Sequence, residues 1–163
     1  MELAKNAQLL KVFRQYGYEG ATLARLSKAT GLGKASLYHY FPKGKEEMAA
    51  AVLDYISDWF AANIFAPLQE YGEPQERIRT MSKNVDQFYN CGQNACLLAV
   101  LSLGDTNNLY HNQIKQSLKV WIDAIAKVLI EAGIERSLAN QRAEDAMSAD
   151  SGFFWCWCER LMI

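Results

Sequence analysis

"TLARLSKATGLGKASLYHYF", Thr22 to Phe41, runs directly into "PKGKEEM", Pro42 to Met48. Leu23 and Leu26 recur at helical spacing, Thr30 and Gly31 break the pattern after two turns, and a second apolar pair, Leu37 and Phe41, restarts it. The restarted segment ends on Tyr38, His39, Tyr40 and Phe41 before Pro42 and Gly44 punctuate the chain. Two short helices across a glycine turn, the second crowded with polar and aromatic side chains, call for a partner outside the chain.

The flanks extend the helical reading. Leu3, Leu9, Leu10, Val12 and Phe13 predict a first helix over about residues 2 to 16, with Gly17 as a left-handed cap. Thr22 is suited to cap the second helix, and the third is expected from about Gly33. A long fourth helix follows from about Lys45 to Ala66, foreclosed by Pro67, and a fifth spans about Pro74 to Asn90. "ACLLAVLSLG" reads as a short buried helix ending at Gly104. A long helix over about Tyr110 to Ala132 and a last one over about Ser137 to Leu161 complete the chain, the last ending in the all-round apolar "GFFWCWC". No alternating strand pattern or internal repeat interrupts this all-α reading.

Length and composition fit one folded unit with a small appended lobe. The chain has 163 residues, half of them hydrophobic, with a net charge of −1 and three prolines. That balance excludes disordered and low-complexity classes. No apolar run nears the roughly 20 residues of a membrane helix, and the opening "ELAKNAQLLKVFRQ" lacks the order of a signal peptide. A cytoplasmic protein without membrane contact is expected, with its four cysteines reduced.

Charge is distributed unevenly. Up to Met48, eight lysines and arginines face four glutamates, whereas nine bases face fourteen acids in the remainder. A basic lobe on an acidic body suits a local polyanion contact. Two short helices joined by a tight glycine turn are the helix-turn-helix arrangement, in which the second helix enters the DNA major groove. Leu26, Leu32 and Leu37 would set the interhelical angle. Lys34, Ala35 and Ser36, small or polar at the start of the third helix, are candidate base readers, since lysine donates to guanine O6 and N7 and serine bonds either way. Thr22, Tyr38, His39, Tyr40 and Lys45 are candidate phosphate contacts. Lys5, Lys11 and Arg14 read as a solvated face of the first helix.

"GYEGATLARLSKATGLGKASLYHYFPKGKEEM", Gly17 to Met48, resembles the DNA-binding lobe of the tetracycline-repressor (TetR) family of transcriptional regulators. The resemblance covers about residues 3 to 56. It implies a three-helix lobe over residues 1–44 and a helical ligand-binding and dimerisation body over 45–163. By that resemblance the phosphate-holding tyrosine and lysine fall on Tyr38 and Lys45, and bases are read from the start of the third helix. The chain departs from the family where Tyr40 precedes the closing Phe41, with His39 one position earlier. Ser27 also stands where alanine is usual, and the closing "SADSGFFWCWC" differs from the small-residue pattern common there.

Partners follow from this reading: double-stranded DNA with a palindromic operator, a second copy of the chain, and a small-molecule effector, with no cofactor. Trp59, Phe60, Phe88, Tyr89, Cys96 and Trp121 are the candidate effector lining, and their apolar, aromatic character suits a mostly hydrophobic molecule. They equally fit a filled core. Cys91 and Cys96, or the Cys156 and Cys158 pair, offer a thiol sensor or metal ligands, but only His39 and His111 accompany them, and helical residues two apart point to different faces. A cysteine-nucleophile enzyme lacks a supporting Cys-His pairing. The competing reading is a helical adaptor that binds protein through its aromatic terminal helix without specific DNA binding.

Overall fold

The computed structural model describes the backbone of residues 2–97, 100 and 107–148. Every described element is helical, and the fold is all-α. The elements are α1 (Glu2–Gly20), α2 (Leu23–Thr30), α3 (Lys34–Tyr40), α4 (Lys45–Phe60), a π-helical turn (Ala61–Phe65), α5 (Ala66–Gln69), α6 (Pro74–Tyr89), α7 (Asn107–Glu131) and α8 (Arg136–Ser148). Most of "ACLLAVLSLG" and all of "GFFWCWC", with Cys156 and Cys158, lie outside the described residues, as does the side chain of His111. No described helix is long and apolar enough to cross a membrane.

The described residues form two compact units: Met1–Asp58 with Ala95–His111, and Trp59–Asn94 with the residues from Asn112 onward. In the first unit, Leu9, Phe13, Leu26, Leu37 and Met48 are each at most 1% exposed, so α1 to α4 converge on one apolar core. Each fully buried side chain of this size contributes about 1.5–3 kcal/mol. Leu32, expected with Leu26 and Leu37 to set the interhelical angle, is only half-buried. Gly17 departs from the expected cap. Its φ of 67° and ψ of −178° kink α1 in a region that is essentially glycine-only, rather than in the left-handed helical region.

The second unit corrects the expectation that Pro67 ends the fourth helix. Helix geometry instead continues through a π turn in which the Ala66 N–H reaches the Ala61 carbonyl, and Pro67 then sits buried in the first turn of α5. Proline supplies no N–H to the carbonyl four residues earlier. That carbonyl belongs to Asn63, and Asn84 Nδ2 of α6 donates to it at 2.9 Å. Asn63 Nδ2 in turn donates to the Trp59 carbonyl at 2.9 Å. Nearby, Arg77 of α6 pairs with Glu131 of α7 and donates to the Leu68 carbonyl of α5, tying three elements together. Ile64, Leu68, Ile78, Met81, Ile125 and Leu129 fill this unit's core.

Candidate nucleic-acid interface

The turn between α2 and α3 is held by local polar bonds. Thr22 caps α2, its hydroxyl accepting the Arg25 N–H at 3.4 Å. At the other end, Gly31 adopts φ 68° and ψ 9°, the left-handed conformation in which a side chain would be strained. Thr30 Oγ1 donates to the Leu26 carbonyl at 2.8 Å and accepts the Leu32 N–H at 3.4 Å. Ser27 Oγ donates to the Leu32 carbonyl at 2.6 Å, closing the turn from the far side. The sequence reading noted Ser27 only as standing where alanine is usual. Hydroxyls at positions 27 and 30 around a glycine at 31 were the available signal.

With the turn fixed, α3 buries Leu37 completely and leaves Lys34, Ala35, Ser36, Tyr38, His39 and Tyr40 exposed. At about 100° per residue, these six form three stripes of residues four apart. Ala35 and His39 point most directly away from the Leu37 seam. Lys34 and Tyr38 occupy one flank, and Ser36 and Tyr40 occupy the other. Each candidate base reader thus has a candidate phosphate contact one turn below it.

Neighbouring groups steady these side chains. Gly44 packs beside Tyr38 so closely that a Cβ at residue 44 would lie 3.3 Å from Tyr38 Cε1. The Lys43 N–H donates to Glu47 Oε2 at 2.8 Å where α4 begins. Lys45 Nζ lies 3.7 Å from Glu19 Oε2 and 4.3 Å above the Tyr18 ring, with 30% of its side chain exposed. Burial, with Glu46 and Glu19 adding to it, pushes the Tyr18 phenol up. Glu19 is a partner of Lys45 that the sequence reading missed. His39 meets the Tyr40 ring edge-on at 5.8 Å between centroids. Of the α1 cations expected on a solvated face, Lys11 is exposed, but Arg14 is half-buried and Lys5 Nζ sits 3.4 Å over the Tyr40 ring.

The aromatic members of the candidate effector lining meet in ring contacts. Trp59 stacks on Phe88 at 4.1 Å, Phe60 meets Trp121 edge-on at 5.2 Å, and Phe88 meets Tyr89 at 5.1 Å. These five aromatics form one cluster in the second unit. Cys96 is half-buried and lies in the first unit. Cys91 is exposed, and its thiol donates to Asp86 Oδ2 at 3.5 Å, which pushes its pKa up and disfavours the thiolate that redox chemistry uses. Among the described residues, no group of three or more His, Cys, Asp and Glu is placed to hold a metal.

A helix-turn-helix with an exposed second helix on a basic lobe defines a DNA-binding domain. Residues 7–52 match the sequence profile of the bacterial regulatory proteins of the tetR family. Over those residues the chain carries that family's DNA-binding domain. It is 27% identical over 135 residues to the uncharacterised HTH-type transcriptional regulator YxaF of Bacillus subtilis (strain 168), covering 80% of this chain and 71% of that one. It is 24% identical to the HTH-type transcriptional regulator LmrA of the same organism, covering 80% and 72%. A shorter match, 32% identical over 72 residues, links 44% of this chain to 33% of the nucleoid occlusion factor SlmA of Haemophilus influenzae. Among solved structures, apo AibR is similar with a TM-score of 0.66 and 18% identity, over 99% of this chain and 94% of its own. AibR in complex with isovaleryl coenzyme A and operator DNA gives 0.61 and 19%, over 97% and 94%. At these identities the structural likeness establishes the fold.

Proposed function

We propose that this regulator is a cytoplasmic repressor that binds a palindromic operator as a homodimer and is released by a small, mostly apolar ligand. The observation that carries the DNA reading is the exposure of six of the seven α3 side chains around a fully buried Leu37. In this reading residues 1–44 engage DNA and 45–163 form the ligand-binding and dimerisation body. Lys34, Ala35 and Ser36 read base edges, while Thr22, Tyr38, His39, Tyr40 and Lys45 position the lobe on phosphates.

The ligand is assigned to the aromatic cluster of Trp59, Phe60, Phe88, Tyr89 and Trp121, because stacked apolar rings favour hydrophobic molecules over sugar phosphates or metals. The solved complex of the neighbour AibR with isovaleryl coenzyme A and operator DNA supports a body that takes a small molecule. Helix α4 begins at Lys45 and ends at Phe60, so it carries both a phosphate contact and a cluster residue. A ligand that prefers the DNA-incompetent state lowers DNA affinity by its own differential affinity, typically about 1–3 kcal/mol, and DNA weakens the ligand by the same factor.

Electrophoretic shifts on random duplexes at low and high salt test the DNA reading. A shift at low salt that weakens as salt rises supports it. A shift absent at every salt concentration returns the chain to the adaptor reading. Titrating apolar acyl compounds while following tryptophan fluorescence tests the ligand assignment, since Trp59 and Trp121 report directly on the cluster.

A further inference from the structure

A helix laid in the major groove has a phosphate strand on each side, so both flanks of α3 face polyanion. One flank is supplied with charge by its own neighbourhood: Lys34 lies on it, and Gly44, which packs on Tyr38, leads directly into Lys45. The other flank, Ser36 and Tyr40, carries no cation from α3. There the structure brings one from α1. Lys5 Nζ sits 3.4 Å from the centroid of the Tyr40 ring, and that ring is 47% exposed.

A cation over an aromatic face is held by the ring quadrupole without losing its charge, and an ammonium that spends one side on a ring keeps donors for a second acceptor. A flexible lysine is thereby pre-positioned, which lowers the conformational cost of a later contact. We propose that Lys5, seated on the Tyr40 ring, is the DNA-phosphate contact of the Ser36 and Tyr40 flank, and that Tyr40 is its positioning residue. The contact brackets α3 between cations on both sides. This proposal rests on the DNA-binding reading above.

The test measures affinity for random and selected duplexes across a salt series, with folding of each variant checked by thermal unfolding. Lys5→Gln should lower the slope of log affinity against log salt by about 0.9 per lobe, and to a similar extent on every sequence. If affinities converge near 1 M salt, that slope means about an eightfold loss per lobe at about 0.1 M. Lys5→Arg should restore the slope, because a guanidinium also stacks on a ring and donates to phosphate. Lys11→Gln makes the same charge change at an exposed position of the same helix and should leave the slope in place. Tyr40→Leu should cost more affinity in the native background than on top of Lys5→Gln, because only the native background has a seated lysine to lose, while loss of the Tyr40 hydroxyl is common to both. A native protein with a steep salt slope that Lys5→Gln does not alter overturns the proposal alone. A native protein with no salt-dependent binding overturns it together with the DNA-binding reading.

Discussion

Ser27 Oγ donates to the carbonyl oxygen of Leu32 at 2.6 Å, so a side chain in the middle of α2 reaches across the glycine turn to the residue leading into α3. The bond makes the angle between the two helices depend on a hydroxyl as well as on apolar packing. Removing it in Ser27→Ala leaves a half-buried carbonyl without that donor and should cost about 0.5–1.5 kcal/mol. Urea denaturation reads the loss. Because the bond touches no base, the sequence selected from random duplexes should not change.

If Lys45 holds a phosphate as proposed, Glu19 competes with DNA for it. The pair lies 3.7 Å apart with the Glu19 side chain 74% exposed, a geometry in which ion pairs contribute about 0.2–1 kcal/mol. Glu19→Gln should leave stability nearly unchanged and raise DNA affinity, since the lysine no longer exchanges a carboxylate for a phosphate. Lys45→Gln should lower affinity on all sequences and reduce the salt slope by about one per lobe. Affinity that falls in Glu19→Gln would place Lys45 away from the phosphates.

Lys34 is expected to read rather than to position. Lys34→Ala should cost on the order of 1–3 kcal/mol at one base position of the operator, relaxing preference there while other positions hold. Comparison of selected sequences from the native and variant proteins checks it. An unchanged selection assigns Lys34 to the backbone.

The Asn84 bond to the Asn63 carbonyl substitutes for the donor that Pro67 lacks. Asn84→Leu should therefore destabilise by about 0.5–1.5 kcal/mol, the net worth of a hydrogen bond to this half-buried acceptor. In a Pro67→Ala background, where residue 67 regains an N–H, the same substitution should cost less. A double-mutant cycle measures the coupling, and strict additivity would remove the link between the two positions.

Glu135 caps α8 with one carboxylate. Its Oε2 accepts the Ser137 hydroxyl and the N–H groups of Ser137 at 2.8 Å and Leu138 at 3.2 Å, and these bonds, led by the hydroxyl, pull its pKa below the usual glutamate range. A group whose folded pKa is depressed favours folding above its unfolded value and ceases to do so as pH falls through the folded one. Glu135→Gln should thus lower stability near neutrality and converge on the native protein as pH falls from about 5 to about 3, flattening the acid limb of the stability curve. Denaturant midpoints across that range report the difference.

The lobe was legible because its determinants are local. Thr22, Gly31, Leu26 and Leu37 act within a few residues of themselves, and cap, turn and buried seam fall where spacing places them. What escaped the sequence depends on residues far apart along the chain. Nothing near Lys5 announces Tyr40, nothing near Lys45 selects Glu19, and Pro67 reads as a terminator until Asn84 satisfies the carbonyl it orphans. Helical spacing put Trp59, Phe60 and Phe88 on one list, and their rings meet in the structure.

The account stands most directly on selection of binding sites from random duplexes, followed by a salt titration on the recovered sequence. The expected result is an inverted repeat whose half-sites lie a whole number of helical turns apart, roughly 34 Å per turn, bound with an affinity that falls linearly in log salt. Recovery of no enriched sequence, together with binding that ignores salt, would contradict a regulator that reads DNA through α3.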